Sequence, residues 1–138
     1  MIALQPADLA SIRIAAETSY PNECCGLLVG RREGDEFVVT RVVPATNVVR
    51  ERARDRFEID PKVRVDTERA LRGTAEQVIG HYHSHPDHPA EPSATDASMV
   101  YEPGLIWVIA GVAQGKVAAV RAWRFDGGAF AEIMIAAS

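Results

Sequence analysis

The sequence has no long apolar segment. None of its hydrophobic runs approaches the roughly 18–20 residues that a membrane-spanning helix requires. Residues 1–16 alternate apolar and polar side chains and lack a basic start followed by an apolar stretch, so we expect no signal peptide. Internal repeats, low-complexity tracts and linkers are also missing, and residues 1–138 are therefore predicted to form one domain. We expect a cytoplasmic protein that does not bind membranes.

An excess of positive charge is missing as well. The 15 basic and 19 acidic residues give a net charge of −4, whereas general nucleic-acid binding needs a clustered positive surface. The local exception is Arg50–Arg56, where arginines alternate with acidic residues and alanine. This segment is predicted to be a solvated loop, with docking of an acidic partner as the alternative.

Cysteine is scarce. The two cysteines, Cys24 and Cys25, are adjacent, and the geometry of a disulfide does not suit neighbours joined by a trans peptide. Both thiols are predicted to be free, which is typical of a reducing compartment.

Predicted strands outnumber predicted helices. Helices are expected at 6–18, at 60–73 between the N-cap Asp60 and the stop Gly73, and at 93–100. Strands are expected at 26–30, 36–43, 77–82, 105–110, 117–125 and 130–135, with turns at 32–35, 114–115 and 126–128. Strands with interspersed helices predict an α/β sandwich built on a mixed sheet.

All four histidines lie between residues 81 and 88. If this segment is extended, His83 and His85 point the same way and can bind one metal ion. Asp96, one turn into the helix that Ser93 opens, can supply a third ligand. Two histidines and one carboxylate leave a fourth position for water, as in catalytic zinc sites. The alternative for Ser93 and Asp96 is a capping box that only satisfies backbone N–H groups.

The two-part pattern His83-Ser84-His85-Pro86 and Ser93-Ala94-Thr95-Asp96 resembles the H-x-H-P and S-x-x-D motif of the JAMM (MPN-plus) metalloproteases. The upstream segment 21–30 resembles the glutamate-bearing first strand of that family. The resemblance implies an MPN-like, cytidine deaminase-like mixed sheet flanked by helices. It further implies one Zn²⁺ per chain bound by His83, His85 and Asp96, with Glu23 as the general acid/base and Ser93 as the hydrogen-bond donor to the oxyanion or the water.

The short chain is similar to compact bacterial and archaeal members of this family rather than to members with large insertions. That resemblance implies a zinc metallopeptidase that hydrolyses an amide or isopeptide bond after the C-terminal Gly-Gly of a ubiquitin-like or sulfur-carrier protein. A Gly-Gly tail suits a recessed site, because only glycine lets a backbone approach so closely.

Three alternatives accompany this expectation. A non-catalytic MPN scaffold typically loses the ligand residues, which are all present here. A zinc nucleoside deaminase needs an H-x-E and a P-C-x-x-C motif, which this chain lacks. Cys24 or Cys25 could act with a histidine as a nucleophile, although cysteines in a buried strand are usually small hydrophobes. His81 is expected to flank the ligands, and Asp87 and His88 to shape the rim of the site.

Overall fold

The computed structural model describes residues 1–49, 53–100 and 102–137. Within these ranges strands and helices follow one another in the order β1 (Ile2–Leu4), α1 (Pro6–Ser19), β2 (Cys25–Glu33), β3 (Glu36–Ala45), α2 (Pro61–Leu71), β4 (Gln77–Pro86), α3 (Ala94–Ser98), β5 (Ile106–Ala113), β6 (Lys116–Asp126), β7 (Ala129–Ile133) and β8 (Ile135–Ala137).

The strands form one mixed sheet in the order β7-β6-β5-β4-β2-β3-β1-β8. Strand β2 is antiparallel to both of its neighbours, β3 and β4. Strands β4 and β5 are parallel, so the chain crosses over between them, and this crossover contains α3. The crossover therefore carries α3 past the carboxyl end of β4, where the histidines lie.

The sheet is strongly curled. Strand β7 pairs with β6 at one edge and β8 pairs with β1 at the other, yet only Met134 separates β7 from β8. Because Cα atoms two residues apart are at most about 7 Å from each other, the two edges must meet there. The carbonyl of Met134 accepts a 2.9 Å hydrogen bond from the backbone N–H of Ile2 at this junction.

The main core lies on the face of the sheet that α1 covers. Ile12 and Ala16 of α1 pack in one buried cluster with Leu28 and Tyr82. Side chains alternate along a strand, so Tyr82 and Ser84 share this face of β4. The histidines at positions 81, 83 and 85 point to the opposite face. The sheet thus separates the core from the candidate site.

The mixed α/β sheet and the starts of the helices agree with the sequence prediction. Pro61 is the first residue of α2, and the Asp60 side chain accepts a 3.0 Å hydrogen bond from the backbone N–H of Lys62. Gly73, with a φ of 78°, follows the end of this helix as predicted. The residue types at these positions encode the helix ends locally.

Several predicted boundaries are wrong. The first hairpin turns at residues 34–35 rather than over 32–35, because β2 continues to Glu33 while β3 begins at Glu36 as expected. The helix that Ser93 opens ends at Ser98 and not at 100. The strand predicted over 130–135 is broken at Met134, where the chain passes from one sheet edge to the other. Strand β1 was not predicted, since three residues are too few to show a periodicity.

Gly80 allows β4 to lie close to β5. A Cβ atom at this position would lie 2.2 Å from the carbonyl oxygen of Ile106 in β5. We expect Gly80→Ala to lower the free energy of unfolding by about 1–3 kcal/mol or more, because the two backbones must separate. Urea unfolding measures this change.

Gly34→Ala is the matched control, since no atom lies within 4 Å of its added Cβ and only its left-handed φ of 64° opposes the change. A loss at Gly80 no greater than the loss at Gly34 would contradict the close-contact explanation.

Candidate active site

The three predicted metal ligands meet at the end of β4. The Nε2 atoms of His83 and His85 are 3.1 Å apart. The carboxylate oxygen Oδ2 of Asp96 lies 3.3 Å from Nε2 of His83 and 3.0 Å from Nε2 of His85. All three side chains are buried. Residues separated by up to 13 positions therefore present three ligand atoms to one point.

The spacing of these atoms fits one ion. Metal–nitrogen bonds of about 2.0–2.1 Å at tetrahedral angles place neighbouring ligand atoms about 3.4 Å apart. The observed separations of 3.0, 3.1 and 3.3 Å are close to this value. Two imidazole nitrogens and a carboxylate oxygen are also the donors that zinc binds. The residues present therefore fit a zinc ion.

The ring of His85 is held in a metal-binding orientation. Its Nδ1 lies 2.9 Å from the carbonyl oxygen of Pro89, so Nδ1–H donates to that carbonyl. The neutral ring then presents a lone pair at Nε2, toward Asp96 and His83. This is the usual way in which a protein fixes the tautomer of a histidine ligand.

The capping box at the start of α3 is present, and it orients the Asp96 carboxylate. Oδ2 of Asp96 accepts from the backbone N–H of Ser93 at 3.0 Å, while Oγ of Ser93 accepts from the backbone N–H of Asp96 at 3.0 Å. Burial raises the pKa of Asp96, but the adjacent His83 and His85 rings and the backbone N–H of Ser93 outweigh it and hold the pKa well below its ordinary value. The carboxylate is therefore ionised, as a metal ligand requires. Capping and metal binding are compatible roles of the same side chain.

Glu23 lies beside the two histidines. Its carboxylate and one ring nitrogen of each of His83 and His85 lie within 4.8 Å of one another. The Asp96 carboxylate lies 3.0–3.3 Å from the same two rings, so four side chains could contribute ligand atoms here. The sequence prediction assigns Asp96 to the metal and Glu23 to proton transfer. The Glu23 side chain is 4% exposed, and its Oε1 has no hydrogen-bond partner among the described residues. Burial, and then the carboxylates of Asp96 and Asp55, raise the pKa of Glu23 to about 9.

Ser84 connects the Glu23 segment to the histidines. Its Oγ accepts a 2.8 Å hydrogen bond from the backbone N–H of Cys24, and its own N–H donates to the carbonyl of Cys24 at 3.2 Å. Ser84 is completely buried on the face of β4 opposite the ligands. The sequence does not indicate this contact, because a serine between two histidines does not reveal which strand it will contact.

Asn47 holds the Glu23 backbone from the other side. Its Nδ2 donates to the carbonyl of Glu23 at 3.2 Å, and the backbone N–H of Glu23 donates to the carbonyl of Ala53 at 2.7 Å. Glu23 is thus fixed by the segment between β3 and α2 as well as by β4. No motif in the sequence indicates Asn47, since its partners lie 24 residues away in one direction and 9 in the other.

Aromatic rings surround His83. The ring of Phe57 stacks on it with centroids 4.3 Å apart and planes 18° apart, and the Trp107 ring meets it edge-on at 5.6 Å. His81 flanks His83 as predicted, with centroids 5.7 Å apart. Burial and the neighbouring His83 lower the pKa of His81 to about 3, so this ring is neutral. Neither Phe57 nor Trp107 was singled out by the sequence.

The site opens into a cleft of about 270 Å³. Its walls come from the segment 54–55 and from the loop that follows β4, and they include Glu23, Arg54, Asp55, His85, His88, Pro89, Glu91, Pro92, Ser93 and Thr95. His88 thus lies on the rim, as predicted. Arg54 also lies 3.8 Å from the carboxylate of Asp87. Arg50, Glu51 and Arg52 of the predicted basic segment lie outside the described residues.

The thiols do not suit nucleophilic catalysis. Cys24 and Cys25 are free, as predicted, and both are buried. Burial raises the pKa of Cys24 and raises that of Cys25 to about 12. Because the thiolate is the reactive form, burial of both thiols disfavours the cysteine-nucleophile alternative.

Among the described residues, no helix is long and apolar enough to cross a membrane.

Two characterised relatives align with most of the chain. Desampylase of Haloferax volcanii is 36% identical over 101 residues, which cover 73% of this chain and 70% of that protein. CysO-cysteine peptidase of Mycobacterium tuberculosis is 31% identical over 127 residues, which cover 91% of this chain and 84% of that protein.

Solved structures agree with the fold. A protein from Desulfitobacterium hafniense superimposes with a TM-score of 0.87 at 30% identity, covering 100% of this chain and 93% of its own. A JAB1/MPN domain protein from Archaeoglobus fulgidus has the same fold, with a TM-score of 0.57 at 19% identity and coverage of 98% and 94%. Residues 6–126 match the family described as prokaryotic homologs of the JAB domain. With its predicted MPN-like fold confirmed, the chain belongs to this prokaryotic JAB family.

Proposed function

We propose that this protein is a zinc-dependent metallopeptidase that hydrolyses the amide or isopeptide bond after the C-terminal Gly-Gly of a ubiquitin-like or sulfur-carrier protein. The observation that carries the proposal is the convergence of His83, His85 and Asp96 beside a buried Glu23 with a raised pKa. The names of the two relatives, a desampylase and a CysO-cysteine peptidase, support this class of substrate. The free cysteines support a reducing compartment, and we propose the cytoplasm.

His83, His85 and Asp96 would hold the zinc ion. When bound, zinc supplies a Lewis acid that polarises the scissile carbonyl and lowers the pKa of a water to about 7. Beside a bound cation the pKa of Glu23 would be lower than in the metal-free protein. Its ionised carboxylate would then take a proton from the attacking water and pass it to the leaving amine. The Oγ of Ser93 accepts from the Asp96 amide, which leaves its O–H free to donate to the oxyanion of the substrate.

The recessed position of the site suits a glycine tail. Glu23 and His85 are buried at the end of the cleft, and a Gly-Gly backbone can approach such a site closely because it carries no side chains. The segment Arg50–Arg56, of which Arg54 lines the cleft, is a proposed docking surface for an acidic carrier protein.

A scaffold would gain nothing from this electrostatic arrangement. Burying Glu23 without a partner for Oε1 costs stability, because the charged form of the carboxylate loses its hydration. Active sites commonly contain groups that lower the stability of the folded protein because the activity requires them. The geometry therefore favours an enzyme over a non-catalytic MPN scaffold.

Metal content tests the ligand assignment. The purified protein is expected to hold about one zinc per chain, since three ligands leave an open fourth position. The double variant His83→Ala, His85→Ala should lose the zinc, because it removes both imidazole ligands. Elemental analysis of folded protein measures the content. His88→Ala, on the rim of the same cleft, is the control and should retain it; equal zinc in all three proteins would refute the site.

Glu23→Gln separates metal binding from proton transfer. The amide cannot take a proton, so zinc should stay while hydrolysis falls by about 10²–10⁴-fold. In metal-free protein the folded state holds the Glu23 proton up to a pKa of about 9, against an ordinary value of 4.5. The free energy of unfolding of the wild type therefore decreases as the pH rises through this window, and glutamine removes that decrease.

Urea unfolding of chelator-treated wild type and Glu23→Gln, between pH 4.5 and about 9, measures this effect of pH on the free energy of unfolding. The stability advantage of Glu23→Gln over wild type should grow with pH. Glu91→Gln changes a more exposed carboxylate on the same cleft and is the control. It should affect both the activity and the pH dependence of the free energy of unfolding less than Glu23→Gln does. Full activity in Glu23→Gln would exclude its role as proton carrier.

Substrate specificity is tested with fusions that end in Gly-Gly-X and matched fusions that end in Ala-Ala-X. We expect cleavage after Gly-Gly alone, with loss of cleavage in a zinc chelator, as scored by mass spectrometry. Docking by Arg50–Arg56 predicts that cleavage slows as the salt concentration rises, because the screening length is about 8–10 Å at 0.1–0.15 M. Equal cleavage of both series would indicate a general peptidase, and cleavage of neither would favour the scaffold.

A further inference from the structure

The two histidine ligands differ in how their rings are held. Nδ1 of His85 donates to the carbonyl of Pro89, whereas Nδ1 of His83 is buried and has no hydrogen-bond partner among the described residues. Metal-binding histidines are normally oriented by a hydrogen bond from the second ring nitrogen. His83 therefore needs another device to fix the plane of its ring.

Phe57 supplies the contact that His83 otherwise lacks. The two rings are nearly parallel, at 18°, with centroids 4.3 Å apart, and both are buried, with exposures of 5% and 0%. A flat ring in face contact opposes rotation of the imidazole about its Cβ–Cγ bond. Trp107 meets the imidazole edge-on at 82° and limits the remaining freedom.

The backbone on both sides of Phe57 is itself fixed. Nδ2 of Asn47 donates to the carbonyl of Arg56 at 3.2 Å, and Oδ1 of Asn47 accepts from the backbone N–H of Glu58 at 3.1 Å. Asn47 also forms an isolated antiparallel bridge with Ile59. Because the backbone of residues 56–58 is fixed, the Phe57 ring is held in place and can restrict the movement of the His83 ring.

We propose that Phe57 is a positioning residue that sets the plane of the His83 ring, so that its Nε2 stays directed at Nε2 of His85 and at Asp96. The inference rests on the proposed metal centre formed by these three residues. In this proposal the Phe57 ring orients the His83 imidazole, as the Pro89 carbonyl orients the His85 imidazole.

The space behind Phe57 explains why its loss should matter. A second cavity of about 260 Å³ is lined by Phe57, His81 and Trp107, by further apolar residues, and by the charged residues Glu58, Arg64 and Glu102. Phe57 is thus part of the boundary between this cavity and His83. A smaller, non-planar side chain would leave the imidazole free to turn toward this cavity, and Nε2 would leave the metal-binding geometry.

Cobalt binding tests the proposal without measuring activity. Chelator-treated protein is titrated with Co²⁺, whose visible absorption reports the coordination geometry, and the affinity is obtained by competition with a chelating dye. Phe57→Leu should weaken cobalt binding by about 10–100-fold, as expected for loss of a contact that orients a ligand. Its absorption band should also change shape.

Two further variants separate positioning from general stability. Phe57→Tyr keeps the flat ring and should restore both the affinity and the spectrum. Phe37→Leu removes a phenylalanine of similar burial, 3% exposed, whose ring lies against Arg32 and Arg124. It should lower the urea midpoint and leave cobalt binding unchanged. If Phe57→Leu does not fold, Phe57→Met is measured by the same criteria.

The possible failures are distinguishable. If the wild type binds cobalt and Phe57→Leu binds it equally well with an unchanged spectrum, only the positioning role is overturned. If Phe37→Leu loses as much affinity as Phe57→Leu, the effect is one of stability and the proposal is also wrong. If the wild type binds no cobalt, the proposed metal centre fails and the positioning role fails with it.

Discussion

Three electron-rich atoms are held within 3.0–3.3 Å of one another in a space that excludes most water, and the rest of the structure serves to maintain this arrangement. Two imidazole nitrogens and a carboxylate oxygen can only remain so close when each side chain is fixed from behind. The fixing groups differ in kind. The Pro89 carbonyl orients His85, the start of α3 orients Asp96, and a stacked ring lies against His83.

Glu23, beside this centre, is held through its own backbone and that of Cys24 rather than through its carboxyl group. Glu23 is attached through Ala53 and Asn47 on one side and, by way of Cys24, through Ser84 on the other. Its carboxyl group itself keeps Oε1 without a partner among the described residues. The fold thus fixes the position of the carboxyl group and leaves Oε1 free of hydrogen bonds from the described residues. A group proposed to carry a proton needs both properties.

The parts of the site that could be predicted from the sequence are those with a local rule. Alternation along a strand places His83 and His85 on one face, and the cap spacing places Asp96 one turn beyond Ser93. The contacts of Ser84 and Asn47 could not be predicted, because they depend on which strand lies beside which: Ser84 meets Cys24 across 60 residues. Phe57 lies in a connection with no periodicity, and its stacking partner is chosen by the folded chain. Strand β1 is likewise created by its neighbours β3 and β8.

The curl of the sheet has a consequence for how the protein is made. Pairing of β1 with β8 joins Ile2 to Ile135, so the sheet cannot close until residues 135–137 have left the ribosome. Glu23 and the three candidate ligands all precede residue 97, and β2, β4 and α3 are synthesised long before β8. The strand that seals the curl is therefore added after every element of the candidate site, and contacts between such distant segments form slowly during folding. Until β8 is added, one edge of β1 has no pairing strand and must remain unpaired while the site elements fold.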